Sequence, residues 1–315
     1  MKRMMITGAL GQIGSELTVK LRETYGKENV LATDIKMDDR EISTDGPFQI
    51  LDVMDGKTML EVAKKFRADT ILHLAALLSA TAENNPVFAW NLNMGGLLNA
   101  LETAKELGAQ FFTPSSIGAF GPSTPKDGTP QDTIQRPTTM YGVNKVAGEL
   151  LADYYFHRYG VDTRGLRFPG LISYQTPPGG GTTDYAVEIY YEAVKYGTYT
   201  SYIDKGTYLD MMYMPDALDS IIRLMEADGG KLKHRNAFNV TAMSVAPEEM
   251  ASAIQKELPD FKMHYQVDPL RQQIAESWPN RLDATAAKEE WGFNPKFNLE
   301  AMTKDMIMKL KQKRI

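Results

Sequence analysis

The sequence predicts an α/β fold: a doubly wound parallel sheet in the first half, followed by a smaller C-terminal α/β lobe. Three observations carry this reading. Over roughly the first 170 residues, short apolar runs alternate with amphipathic stretches of helical period. Three glycines, Gly8, Gly11 and Gly14, sit between the first apolar run and the first amphipathic stretch, where the chain must turn tightly. Beyond them the alternation breaks at 174–183, a Gly- and Pro-rich segment too long for a simple connector.

The elements follow in order. Residues 3–7 form the first strand candidate and 13–25 the helix behind the glycines. Strand candidates at 30–34 and 48–52 precede an amphipathic run at 56–66, and a fourth at 70–74 leads to the long helical stretch 86–107. A fifth strand is expected at 110–113. The segment 121–137 carries Pro122, Pro125, Pro130 and Pro137 and reads as a loop. A helix at 141–159 and a sixth strand at 162–167 complete the first half. In the smaller lobe a helix is expected at 184–195, a strand at 199–203, a helix from Pro215 and Asp216 to 225, a strand at 237–240 and a helix at 246–258. The domain expectation is 1–170 for the nucleotide-binding unit, with later segments able to return to it, and 171–315 for the lobe.

Composition narrows the function. The chain has 315 residues, 43% hydrophobic and 24% charged, enough for a full globular core. A net charge of -5 without a dense Lys/Arg stripe argues against a nucleic-acid partner. The basic cluster Lys309, Lys311, Lys313 and Arg314 reads as a solvated helix end. The absence of cysteine excludes disulfides, thiolate catalysis and Cys-ligated zinc, and the four histidines show no metal-ligand spacing, so no metal site is expected. The opening is already strand-like and no apolar stretch of bilayer length occurs, so no signal peptide and no membrane are expected. A cytoplasmic or organelle-matrix enzyme is the expectation, cytoplasmic first.

The glycines specify a Rossmann-type domain. Their GxxGxxG spacing lets backbone approach a pyrophosphate held by amides at the helix start, with Gln12 and Ile13 in the same turn. The competing reading is an ordinary glycine-rich turn. Asp34 ends the second strand, where a carboxylate accepts hydrogen bonds from an adenosine ribose and repels a 2′-phosphate. NAD is therefore expected over NADP, with Lys36 and Arg40 nearby as opposing features. Asp52 and Val53 are placed near the adenine, and Leu74, Ala75 and Ala76 where backbone passes along the cofactor. Phe168 ends the sixth strand on the same side. Asn93 either touches the cofactor or makes a structural hydrogen bond.

The chemistry rests on Tyr141 and Lys145, four apart and so on one helix face. A phenol is a poor base at neutral pH, but an adjacent ammonium favours the phenolate. Tyr141 is then suited to take a proton from an alcohol as hydride leaves its carbon. Ser116, with Ser115 as the alternate, lies just past the fifth strand and is expected to orient the alcohol oxygen; the competing role is a turn cap.

These residues resemble the extended short-chain dehydrogenase/reductase family over nearly the whole chain. TGxxGxxG at 7–14, Asn-Met-Gly-Gly at 93–96, the strand-end serine and YxxxK at 141–145 fall in that family's order. Its best-known members are epimerases, dehydratases and reductases of nucleotide sugars. Two departures stand out. Those enzymes carry an Arg that grips the sugar-nucleotide diphosphate, where this chain has Leu209, and the segment 167–172 lacks their Asn. Ser-Ile-Gly-Ala-Phe-Gly at 116–121, Arg-Phe-Pro-Gly-Leu-Ile at 167–172, Gly-Gly-Thr-Thr-Asp-Tyr-Ala at 180–186 and Ser-Trp-Pro at 277–279 instead resemble the branch that oxidises L-threonine at its 3-hydroxyl.

That resemblance implies NAD-dependent formation of L-2-amino-3-oxobutyrate, with Tyr141 as base, Lys145 as its partner and ribose ligand, and Ser116 as the orienting group. It also implies a homodimer through the Tyr141 helix and the long helix before it. A zwitterionic amino acid needs donors for its carboxylate and an acceptor for its ammonium. Ser79, Thr182, Thr183, Asp184, the backbone amides after Gly179–Gly181 and Trp278 are the candidates. Thr182 and Thr183 also fit helix N-caps, Asp184 a first-turn carboxylate, and Trp278 a core residue. A nucleotide-sugar epimerase or reductase of the same fold and a non-catalytic NAD-sensing module are the alternatives. The second characteristically lacks the Tyr or the Lys, and both are present here.

Overall fold

The computed structural model describes residues 1–177, 179 and 181–313. Seven strands form one parallel sheet: β1 (Met4–Thr7), β2 (Val30–Asp34), β3 (Phe48–Ile50), β4 (Thr70–His73), β5 (Gln110–Ser116), β6 (Thr163–Phe168) and β7 (Phe238–Asn239). Their order across the sheet is β7-β6-β5-β4-β1-β2-β3. The winding reverses between β1 and β4, so a crevice opens beyond the carboxyl ends of those two strands.

Alternation along the strands explains the double winding. Met4 and Ile6 of β1, Leu72 of β4 and Phe112 of β5 pack on one face, with the helices Gln12–Tyr25 and Met214–Glu226. Their neighbours Met5, Ile71 and Phe111 point to the other face, under the helices Gly56–Phe66, Pro86–Leu107 and Met140–Tyr159. Burial on both faces makes the centres of these strands apolar, while polar residues such as Thr7, Thr70 and His73 fall at their ends.

A second apolar core lies beneath the smaller lobe. It gathers the helices Tyr185–Tyr196, Pro247–Glu257 and Leu299–Gln312 around Tyr190, Met250 and Met306. A three-stranded sheet, Met243–Val245, Leu209–Tyr213 and Gly170–Ile172, joins this core to the large sheet. The expected methionine cluster is core filling: Met211, Met212 and Met214 are fully buried.

Several elements differ from expectation. β5 runs on to Ser116, beyond the apolar run, because β6 continues alongside it and pairs Ser115 with Arg167 and Ser116 with Phe168. The strand expected in the lobe at 237–240 is β7, which returns to the edge of the large sheet and buries Phe238 in that sheet's core. Within the loop 121–137, Asp127–Thr129 pairs in parallel with Arg281–Leu282. The helices Pro269–Ser277 and Thr285–Trp291 were not anticipated. Among the described residues no helix is long and apolar enough to cross a membrane, and no group of three or more His, Asp or Glu residues is placed to hold a metal ion.

Candidate active site

The crevice predicted by the sheet order is a cleft lined from both halves of the chain, with Gly8–Gly14, the ends of β4, β5 and β6, Tyr141, Lys145, Thr182–Asp184 and Trp278 around it. Its floor depends on close backbone approach. Gly8 adopts φ +70°, and a Cβ on Gly14 would stand 2.1 Å from the Gly8 carbonyl oxygen, so any side chain there displaces the helix. No side chain caps the start of that helix at Gly11. Its first amides are thus open to an anion, as a dinucleotide pyrophosphate requires. Asp34 is held at the rim by the amides of Leu10 (2.9 Å, to Oδ2) and Ile35 (2.8 Å, to Oδ1). A carboxylate oriented in this way keeps acceptor capacity for a ribose diol.

The other cofactor-side candidates divide. Gly8, Gly11, Gln12, Ile13, Gly14, Leu74, Ala76 and Phe168 line the cleft. Ala75 lies against Gly8, its amide nitrogen 2.7 Å from where a Gly8 Cβ would be. Asp52 is exposed and accepts from the Met54 amide at 2.9 Å, while Val53 is buried under the helix Pro86–Leu107 near Gly96. The side-chain amide of Asn93 is committed to structure. It accepts from Leu77 N (2.8 Å) and donates to Leu77 O (3.3 Å) and Asn144 Oδ1 (3.0 Å), tying the end of β4 to the Tyr141 helix.

That helix, Met140–Tyr159, is placed by its N-terminus. Thr139 caps it by accepting from Gly142 N at 3.1 Å, and Glu83 takes the Met140 amide at 2.6 Å. A Cβ on Gly142 would meet the Gly118 carbonyl oxygen at 2.2 Å, so the helix rests directly on the turn after β5. The Tyr141 ring packs against Gly118 and is 9% exposed. Lys145 Nζ lies 5.3 Å from the Tyr141 ring centroid and donates to Pro114 O at 2.6 Å. Gly118 and Gly142 are the sequence signals for this seat.

The two serines have separate fates. Ser116 Oγ accepts from Gly118 N at 3.1 Å, so it caps the turn and keeps its hydrogen for another partner. Ser115 donates its hydrogen to Glu149, a carboxylate also gripped by Arg167 through Nε (3.0 Å) and Nη2 (2.8 Å) and by Gln135 (2.8 Å). Ser115 is therefore spent on structure.

On the lobe side, Ser79 Oγ and Thr182 Oγ1 stand 3.4 Å apart, and both line the cleft with Thr183. Trp278 lines the cleft and also belongs to the lobe's core. The amides of Gly179 and Gly181 both donate to Asp184 Oδ2 at 2.8 Å, which spends them on the shape of the loop. Gly180, between them, and Arg314 of the basic cluster lie outside the described residues. Neither Thr182 nor Thr183 caps a helix through its side chain. Pro169, Gly170, Leu171 and Ile117, which belong to the segments 167–172 and 116–121 that carry the family resemblance, line the cleft as well, and so does Leu78, which no sequence signal marked. Leu209 is wholly buried in the lobe's core. Among the described residues lining the cleft, Lys145 is the one cation and no arginine occurs.

A smaller cavity lies behind Lys145, bordered by His73, Asn93, Asn144 and Asn236. His73 is held by Thr7 Oγ1 at 2.8 Å, and burial, with repulsion from Lys145, pushes it down to about 3. The unfolded chain gains a proton at His73 below about pH 6.5 and the folded protein does not, so stability is lost as pH falls from there toward 3. A His73→Gln variant is expected to show a smaller fall in unfolding temperature between neutral and mildly acidic buffer than the wild type, measured by calorimetry.

The profile of the NAD-dependent epimerase/dehydratase family matches residues 4–241. The chain belongs to this family. An uncharacterized epimerase/dehydratase of Staphylococcus aureus is 63% identical over 99% of this chain and 98% of its own. A solved L-threonine dehydrogenase of Clostridium difficile is 62% identical with a TM-score of 0.98, covering 99% of this chain and 98% of that one. The GalE-like L-threonine dehydrogenase of Cupriavidus necator, in its holo form, is 44% identical with a TM-score of 0.95 over 98% of this chain and 99% of its own. Membership makes NAD the cofactor, as the glycines and Asp34 led us to expect. Replacing Asp34 by Ala is expected to lower the ratio of NAD to NADP affinity by about tenfold, the loss of roughly one charged hydrogen-bonding interaction; fluorescence titration with the two cofactors measures it.

Proposed function

We propose that this chain is a cytoplasmic enzyme that oxidises L-threonine at its 3-hydroxyl to L-2-amino-3-oxobutyrate. One observation carries the substrate. Tyr141, Lys145 and Ser116 stand in a cleft with no arginine among its described lining residues, while Leu209 is buried where nucleotide-sugar enzymes carry their diphosphate-binding Arg. Such a cleft suits a small zwitterion better than a diphosphate. The likeness to solved L-threonine dehydrogenases points the same way.

The cofactor seat in this reading is Gly8, Gly11, Gln12, Ile13 and Gly14 for the pyrophosphate, Asp34 for the adenosine ribose, Asp52 and Val53 at the adenine, and Leu74, Ala75, Ala76 and Phe168 along its length. Asn93 supports that seat through the backbone of Leu77. Bound NAD supplies the hydride acceptor. Tyr141 takes the proton of the threonine hydroxyl, Ser116 donates its remaining hydrogen to the substrate oxygen, and the positive charge of Lys145 stabilises the phenolate and serves as a ribose ligand. Ser79, Thr182 and Thr183 bind the polar end of the amino acid. Asp184 holds the loop that presents them and adds negative charge facing the ammonium. Trp278 closes the pocket from the lobe.

The test is NADH formation with L-threonine set against L-serine, L-allo-threonine and UDP-sugars. Turnover confined to L-threonine supports the reading, and turnover of a UDP-sugar alone defeats it. We further propose a homodimer through the helices Pro86–Leu107 and Met140–Tyr159, which pack against each other and expose Trp90, Leu98, Leu150 and Tyr154. A solved neighbour is described as monomeric, so sedimentation of the wild type decides this point.

A further inference from the structure

We propose that Glu16 is a positioning residue for the substrate side of the cleft, coupling the cofactor-binding helix to the strand and corner at 170–176. The proposal rests on the threonine-oxidising reading given above. Glu16 lies two residues beyond Gly14 in the helix Gln12–Tyr25 and is 6% exposed. It is not among the residues that line the cleft. Its partner is Ser173, whose hydroxyl donates to Glu16 Oε1. The same Ser173 oxygen accepts from the amides of Gln175 (2.9 Å) and Thr176 (3.4 Å). With two amides aimed at that oxygen, its single hydrogen is directed to the carboxylate. The preceding helix residue adds a second tie, Ser15 Oγ to Thr176 Oγ1 at 3.2 Å.

The opposite side of this corner is held as firmly. Tyr191 OH (2.8 Å) and Lys313 Nζ (3.0 Å) both donate to the Tyr174 carbonyl oxygen. Lys313 is therefore not merely a solvated helix end. The corner continues the strand Gly170–Ile172, and Gly170 and Leu171 line the cleft. A Cβ on Gly170 would stand 3.0 Å from Thr183 Cβ, so strand and substrate loop are in direct contact. A shift of the cofactor helix at Glu16 thus reaches Thr183 through packed atoms and short hydrogen bonds. Burial pushes the Glu16 carboxyl up to about 7, the cost of keeping this acceptor inside the fold, and the Ser173 hydrogen bond and then Lys313 offset part of it.

Two measurements test the coupling. The first is hydrogen exchange at Gln175, Thr176 and Asp184 with and without NAD. In the wild type NAD slows exchange at these amides; in Glu16→Leu it leaves them unchanged, and in Glu16→Gln, which keeps an acceptor oxygen, the protection returns. The second is steady-state kinetics. Glu16→Leu is expected to raise KM for L-threonine about tenfold, with kcat and the Kd for NAD changed by less than about twofold, and Glu16→Gln to recover most of the loss. Ser173→Ala removes the same bond from its other end and serves if the Leu variant does not fold. NAD-dependent protection that persists in both disrupting variants overturns the proposal, as does an unchanged KM in both. A wild type that does not oxidise L-threonine would sink the substrate reading and leave the exchange measurement to decide the coupling.

Discussion

Tyr141→Phe is expected to lower kcat for L-threonine by about 10²–10⁴-fold, the range that a positioned acid–base group contributes. The Kd for NAD is expected to stay close to that of the wild type. The variant removes one oxygen and leaves the ring on Gly118, so the helix keeps its seat. Lys145 keeps its bond to Pro114 O, and the cofactor side of the cleft is undisturbed. Stopped-flow measurement of NADH formation with the variant separates lost chemistry from lost binding. Turnover equal to that of the wild type would remove Tyr141 from the mechanism.

The second large effect is expected in the framework beneath the site. Glu149→Ala leaves the Arg167 guanidinium in the interior with only the neutral acceptors Gln131 O and Asn239 Oδ1, where both side chains of the pair are less than 10% exposed, and deprives Ser115 and Gln135 of their common acceptor. Breaking a buried pair from one side costs about 3–5 kcal/mol, because the remaining charge is uncompensated. Denaturant unfolding of the variant is expected to show a loss of that size. The double variant Glu149→Leu, Arg167→Met is expected to recover much of it, since volume is kept and no charge is stranded. Equal losses in the single and double variants would mean that packing, rather than the stranded charge, sets the penalty.

Much of the cofactor half was legible in the sequence, for a physical reason. Its central strands are buried on both faces and its helices on one, so periodicity reports them directly. The expected ranges 30–34, 56–66 and 86–107 coincide with Val30–Asp34, Gly56–Phe66 and Pro86–Leu107. Elements made by partners rather than by pattern were harder to read. β7 is two residues long and owes its place to β6, and Asp127–Thr129 is a strand only because Arg281–Leu282 lies beside it. At the site, spacing identified Tyr141, Lys145 and Ser116 as candidates, since one helix and one strand end place them. Spacing gave no sign that Gly179 and Gly181 would turn their amides to Asp184, that Asn93 would hold Leu77, or that Ser115 would serve Glu149. Those choices depend on which acceptor lies nearest after folding, and hydrogen bonds between distant segments leave no period in the chain.

The return of β7 to the edge of the large sheet also bears on how this protein is made. A nascent chain released as far as β6 has an unpaired sheet edge there, and it lacks Met214, Leu218 and Phe238, which later cover the face bearing Phe112 and Leu166. An open edge beside bare apolar surface invites pairing with another chain. The first half is thus unfinished until some seventy further residues have emerged. A fragment ending at residue 170 is therefore expected to associate through that edge, and the interval of exposure during synthesis to last until residue 239 has emerged.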